Sequence, residues 1–350
     1  MSEMQQRPLG ASGLVVSSLA LGTMTFGAET DEAGAHAQLD RFVEAGGTLI
    51  DTADVYSQGT SEEMVGRWLA ARGGADDLVI ATKGRFPMGE RALDRGASRR
   101  HLHRAAEASL RRLGVDAIDL YQVHGWDPTV PLTETLAALD DLVRSGKVRY
   151  VGVSNYTGWQ LQKALRLAEK HGWAAPVSLQ PQYNLLAREV EWELLPQCIE
   201  EGVGILPWGP LGGGWLTGKY RRDERPTGAT RLGEDPNRGV EAYDRRNTER
   251  TWEVLDAAGT IADGRGCSIA QVALAWVHQR PGVSSVILGA RTLEQLDDNL
   301  GVVDLVLDDE EMDLLSVRSS PGVPDYPYGM IADHCGVSDW DDLRTRVAER

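Results

Sequence analysis

Short apolar runs alternate along this chain with longer segments whose apolar residues recur three and four positions apart. The short runs predict eight strands, at 19–22, 48–51, 78–82, 118–123, 148–153, 177–180, 203–207 and 285–289. Between them, the segments 33–45, 62–72, 98–113, 132–145, 157–171 and 190–201 have the spacing of helices with one buried face. Glycines follow several of these segments, as at Gly46, Gly47 and Gly146, where a helix can stop and the chain can enter a strand. Two more helical patterns, 247–263 and 268–279, precede the last strand.

Strand following helix eight times favours a parallel sheet with crossovers. An open doubly wound sheet would announce a dinucleotide site through a G-x-G-x-x-G turn after its first strand. The residues there, Gly22-Thr23-Met24-Thr25-Phe26-Gly27, lack that spacing. The expected fold is therefore α/β, a single (β/α)8 TIM barrel occupying 1–350, with its core at about 9–318. Two stretches break the rhythm. The segment 211–246, after strand 7, is too long for an ordinary connection and reads as a functional loop or lid. The tail 319–350 is irregular, first rich in Pro, Gly and Tyr and then acidic.

Composition narrows the functional classes. A net charge of −16 argues against nucleic acid, whose phosphates need a surplus of Lys and Arg. Cys198, Cys267 and Cys335 stand far apart without C-x-x-C spacing, so neither a disulfide framework nor a metal site is expected. No apolar run is long enough to cross a bilayer, and the opening residues carry no apolar signal core. A cytoplasmic protein without a membrane partner is the expectation.

In a barrel of this kind the chemistry sits at the C-terminal ends of the strands. That rule singles out Asp51 and Tyr56 after strand 2, Lys83 after strand 3 and His124 at the end of strand 4. The set suits proton donation to a carbonyl that receives a hydride. Tyrosine ordinarily titrates near pH ~10, and an ammonium ~4 Å away favours the phenolate by about 4 kcal/mol at an effective dielectric of ~20. Lys83 is expected to bring Tyr56 towards the working range, with Asp51 aiming Lys83 and His124 orienting the carbonyl oxygen. Taken singly, each could be an ion pair, a loop cap or a core histidine. Their joint appearance in strand order is harder to explain as packing.

The string Asp51-Thr52-Ala53-x-x-Tyr56, followed in order by Lys83 and His124, resembles the aldo-keto reductase superfamily. The segments 146–155 and 210–220 match as well, so the similarity runs from Leu9 to about Asn299. Its wording is closer to the bacterial and potassium-channel β-subunit-like branches than to the aldose reductase branch. The resemblance implies an extended NADP(H) across the barrel mouth, near Gly22, Thr23, Met24 and Asp51. Ser154, Asn155 and Gln180 would hold its carboxamide, and Trp208 would stack on the nicotinamide. Gly209, Pro210, Leu211, Gly213 and Lys219 would cross the pyrophosphate. Gly289, Arg291, Gln295, Asp298 and Asn299 would take the adenosine end, with Arg291 favouring a 2′-phosphate.

Met24, Phe26, Tyr56, His124, Trp126, Tyr326 and Tyr328 are the candidate walls for a small-molecule carbonyl substrate. The implied activity is reduction of aldehydes or ketones to alcohols by NADPH, with Tyr56 as general acid. Two other classes stay open. A β-subunit-like chain could be a cofactor sensor with little turnover, and the scaffold could support redox-neutral chemistry.

Overall fold

The computed structural model describes residues 3–228, 230–237 and 239–335, so the last part of the 319–350 tail lies outside the described residues. Eight parallel strands form one sheet: β1 (Leu19–Gly22), β2 (Leu49–Asp51), β3 (Val79–Gly84), β4 (Ile118–Val123), β5 (Val148–Ser154), β6 (Ser178–Gln180), β7 (Gly204–Ile205) and β8 (Val286–Leu288). From β1 to β7 each pairs with the next in chain order, and β8 returns to pair with β1, Val286 opposite Leu19. The gap between β7 and β8 is spanned by backbone bonds from Ile205 to Gly282, Ser284 to Ile205 and Ile287 to Pro207, at 2.9–3.2 Å. The sheet is therefore a barrel, as the alternating pattern required.

The helices wrap its outside: α1 (Glu32–Glu44), α2 (Thr60–Arg72), α3 (Arg99–Leu113), α4 (Leu132–Arg144), α5 (Gly158–His171), α6 (Leu194–Glu201), α7 (Glu249–Arg265), α8 (Ile269–His278), α9 (Leu293–Leu300) and α10 (Asp309–Arg318). Asp31, Ser98 and Ser268 cap α1, α3 and α8 by accepting from backbone amides of the first turn. Most boundaries fall within two residues of those read from periodicity. The segment 190–201 is a correction: Glu189–Glu191 makes a separate 3-10 turn, and the helix starts only at Leu194. In that turn Glu191 is buried between Arg188 (2.9 Å) and Arg280 (3.0 Å), which ties this connection to the end of α8.

Strand periodicity sorts each strand's residues between two cores. Leu19, Leu21, Ile50, Ile80, Tyr121 and Val153 face the helices. Ala20, Leu49, Val79, Ala81, Leu120, Leu206 and Ile287 fill the barrel interior. The floor is closed by an antiparallel hairpin, Gln6–Pro8 paired with Val15–Ser17, which periodicity alone did not reveal. Leu9 and Val16 of this hairpin join the interior cluster. Gly10, at φ 59°, lies so close to the 202–204 backbone that a Cβ would stand 2.3 Å from the Gly202 oxygen.

The long connection after β7 is folded rather than loose. Trp215 is fully buried and donates through Nε1 to the Glu241 carbonyl at 3.1 Å. Tyr243 stacks against it, and Tyr220 and Trp252 meet it edge-on at 5.1 and 5.9 Å. An aromatic knot thus pins both ends of the loop to α7.

Candidate active site

On three strands the inward-facing row turns from apolar to polar two positions further along: Leu49 is followed by Asp51, Ala81 by Lys83, and Leu120 by Gln122 and then His124. On β6 the same row carries Ser178 and then Gln180. The alternation that fills the floor with aliphatic carbon therefore delivers these polar groups to the mouth. Lys83 is fully buried and donates to Asp51 Oδ2 at 2.6 Å, to the Thr52 carbonyl at 2.9 Å and to the Tyr56 hydroxyl at 3.2 Å. All three ammonium protons are thereby placed. Asp51 Oδ1 accepts from Gln180 Nε2 at 2.8 Å and, more weakly, from Gln122 Nε2 at 3.4 Å.

Tyr56 opens a short 3-10 turn, Tyr56–Gly59, in which Ser57 and Gln58 both adopt left-handed φ. Its ring meets His124 edge-on at 5.8 Å, and Phe86 also packs on the imidazole, at 4.4 Å. His124 is buried, and its Nδ1 has no hydrogen-bond partner among the described residues. Burial, with help from Lys83 and Arg85, pushes the imidazole down to about 2, so it is neutral at any ordinary pH.

The tyrosine departs from expectation. Burial raises Tyr56 above its ordinary value; Lys83 pulls it down, but Asp51 and Asp54 oppose Lys83. The lysine's charge is largely answered by the carboxylate 2.6 Å away, so the isolated-pair argument overstated its effect. Burial likewise pulls Lys83 down, but Asp51 and then Tyr56 more than offset it, and the ammonium stays above its ordinary range. In the unliganded site Tyr56 is a protonated phenol beside a charged lysine.

The neighbouring strand ends form a second network. Ser154 donates to the Gln180 carbonyl at 2.8 Å. Asn155, at φ 56°, donates to the His124 carbonyl at 3.1 Å and accepts from the Trp208 indole at 3.0 Å. Trp208 is half-buried, and Gly209 and Gly289 have open space where a Cβ would sit. Gly22 ends β1, Thr23 is buried and bonded to the Asp51 carbonyl, Pro210 is buried, and Leu211 and Gly213 are half-buried. Lys219 is exposed, with its Nζ over the Tyr220 ring.

At the far side Arg291 is held by Glu234 at 2.9 Å and Glu29 at 3.3 Å. The Arg291 amide donates to Gln295, and Asn299 is buried against the Gly289 carbonyl. Asp298 is exposed and accepts from Ser268, the cap of α8, at 2.8 Å.

Among the expected substrate walls, Met24 is exposed and Trp126 is half-buried in a T-shaped cluster with Tyr156 and Trp159. Phe26 is a correction, since it is fully buried in the core between barrel and helices. Tyr326 is exposed, while Tyr328 packs on Trp192 and donates to Glu193 at 2.6 Å. Sequence reasoning missed Gln122, Thr52, Asp54, Phe86 and Trp159. Gln122 was within reach, because it shares the inward row of Leu120 and His124.

Residues 18–317 match the family model described as the Aldo/keto reductase family. The chain belongs to the aldo/keto reductase family. It is 38% identical over 335 residues to Protein tas of Escherichia coli, covering 88% of this chain and 95% of that protein. It is 35% identical over 310 residues to a probable voltage-gated potassium channel subunit beta of Arabidopsis thaliana, covering 87% and 92%. An aryl-alcohol dehydrogenase [NADP(+)] of Phanerodontia chrysosporium is 34% identical over 342 residues, covering 92% and 87%. As an aldo/keto reductase the chain is an oxidoreductase, and members of its family generally use a nicotinamide dinucleotide.

Proposed function

We propose that this aldo/keto reductase reduces aldehydes or ketones to alcohols with NADPH, and that Tyr56 gives the proton. The observation that supports it most directly is the chain of contacts Asp51–Lys83–Tyr56, at 2.6 and 3.2 Å, ending on a phenol beside a neutral imidazole. A protonated phenol is the form an acid needs before transfer, and a fixed ammonium stabilises the phenolate left behind. Neutral His124 can donate one N–H to a carbonyl oxygen without competing as an acid.

The donor set at the mouth fits a dinucleotide. A half-exposed indole held by Asn155 offers a flat face, Gly209 and Gly289 leave room for close backbone approach, and Arg291 offers a planar cation. Trp208, Ser154, Asn155 and Gln180 would hold the nicotinamide end, with Gly22, Thr23 and Met24 beside it. Pro210, Leu211, Gly213 and Lys219 would follow the pyrophosphate, and Arg291, Gln295 and Asn299 the adenosine phosphate. When bound, the cofactor supplies the hydride. The protein's part is to fix the carbonyl oxygen between Tyr56 and His124 and to provide the proton.

Loss of NADPH absorbance with a panel of aldehydes and ketones tests this, wild type against Tyr56→Phe. Turnover that vanishes in the variant while NADPH still binds supports the assignment, and full turnover by Tyr56→Phe would sink it. The likeness to a channel β subunit favours a second reading, a cofactor sensor. Tight NADPH binding without turnover on any carbonyl would favour that one.

A further inference from the structure

Asp54 lies between Asp51 and Tyr56, fully buried, and among the described residues no side chain hydrogen-bonds to either carboxyl oxygen, the Val55 amide being the one donor that bears on it. Its backbone amide is anchored to the Lys83 carbonyl at 3.0 Å, so its place beside that lysine is fixed. The donors nearby are committed elsewhere. Glu62, also fully buried, takes the Thr82 hydroxyl on one oxygen and the Arg112 guanidinium on the other, both at 2.6 Å. The Tyr121 hydroxyl is directed to the Leu102 carbonyl at 3.5 Å. A buried carboxylate without a side-chain donor is costly, and two acids in one enclosure do not ionise together readily. Glu62 has the donors; Asp54, with burial and Glu62 both disfavouring its charge, is left to hold the proton.

We infer that Asp54 is a further positioning residue of the Tyr56–Lys83 pair, a buried carboxyl whose charge state governs how readily Tyr56 releases its proton. This rests on the assignment of Tyr56 as the acid. Every element packed around Asp54 presents a group that bears on it: Lys83 from β3, Tyr121 from β4, Glu62 from α2, Arg112 from α3, and Tyr56 on its own loop. Burial and then Glu62 push the Asp54 carboxyl up to about 7, against Arg112, the Val55 amide and Lys83. Below that pH Asp54 is neutral, and the phenolate left by proton donation faces Lys83 with only Asp51 opposing. Above it, a second negative charge disfavours that phenolate and binds the Tyr56 proton more tightly. Reduction should therefore slow as pH rises through about 7, well before the phenol itself titrates.

The test compares wild type with Asp54→Asn and Asp54→Glu. The kcat/KM for carbonyl reduction should fall through neutrality in wild type, lose that limb in Asp54→Asn and regain it in Asp54→Glu. The unliganded protein gives a readout independent of turnover. Phenolate absorbance, assigned to Tyr56 by its loss in Tyr56→Phe, should appear about half a pH unit lower or more in Asp54→Asn. Should Asp54→Asn not fold, wild type alone still decides: its infrared spectrum should lose a protonated-carboxyl band between mildly acidic and mildly alkaline pH. No such band, or identical Tyr56 titrations in both proteins, overturns the inference. A shifted titration without carbonyl turnover would support it while sinking the reductase reading.

Discussion

Lys83 Nζ and Asp51 Oδ2 lie 2.6 Å apart with both side chains shut away from solvent. Such a pair is expensive to assemble, and more expensive to break, because the surviving charge keeps its burial and loses its answer. Lys83→Met should cost about 3–5 kcal/mol of stability, read by denaturant titration, and abolish carbonyl reduction. Asp51→Asn retains a polar acceptor and should cost less stability. If Lys83→Met proved neutral in stability, the burial argument would be wrong.

The buried imidazole of His124 gives a pH prediction of opposite kind. Its native value of about 2 lies below the unfolded value of ~6.5, so the unfolded chain binds a proton that the native state refuses. Stability should be complete above pH ~6.5 and fall steadily on acidification. His278, lowered by burial and by Arg7 to about 4, adds to the same slope. Urea midpoints between neutrality and pH ~4 should therefore flatten in part in His124→Gln. An unchanged slope would mean that His124 takes a proton in the fold.

Arg291 bears on cofactor choice. Replacing a guanidinium–phosphate contact costs about 2 kcal/mol, or about 30-fold in affinity. Arg291→Ala should weaken NADPH binding by that order while leaving NADH nearly untouched, as measured by fluorescence titration. Because Glu29 and Glu234 hold the same guanidinium, Glu234→Gln should tighten NADPH binding. Equal losses for both nucleotides in Arg291→Ala would refute the 2′-phosphate assignment.

Trp215 governs the long connection. Trp215→Ala removes the centre of the aromatic knot and should cost about 3–5 kcal/mol if the loop unfolds with the domain. Limited proteolysis should then cut within 211–246 in the variant and spare wild type. Cleavage of both proteins at the same rate would show that the knot does not hold the loop.

Much of this was legible because two periodicities do most of the work. Helical spacing located α1 to α5 closely, and the inward row of each strand led from Leu49 to Asp51 and from Ala81 to Lys83. What stayed hidden depends on contacts between distant residues. The hairpin at Gln6–Pro8 has too few residues to show a pattern, and its value comes from fitting the floor. Phe26 carries the residue type of a binding wall but is claimed by the core between barrel and helices. The rise of Tyr56 could not be read because burial, followed by Asp51 and Asp54 opposing Lys83, acts on it only through the fold.

The way the barrel closes has a consequence for how the chain gets there. Its seam joins β1 to β8, the first and last strands, and the short β7 meets the 282–287 segment only after an entire loop and two helices have intervened. Until residue 288 has been synthesised, β1 and β7 both present unpaired edges. Contacts this distant in sequence form slowly. Nascent or truncated chains ending before β8 should therefore be the most prone to edge-to-edge association, and ring closure should be the step that ends that exposure.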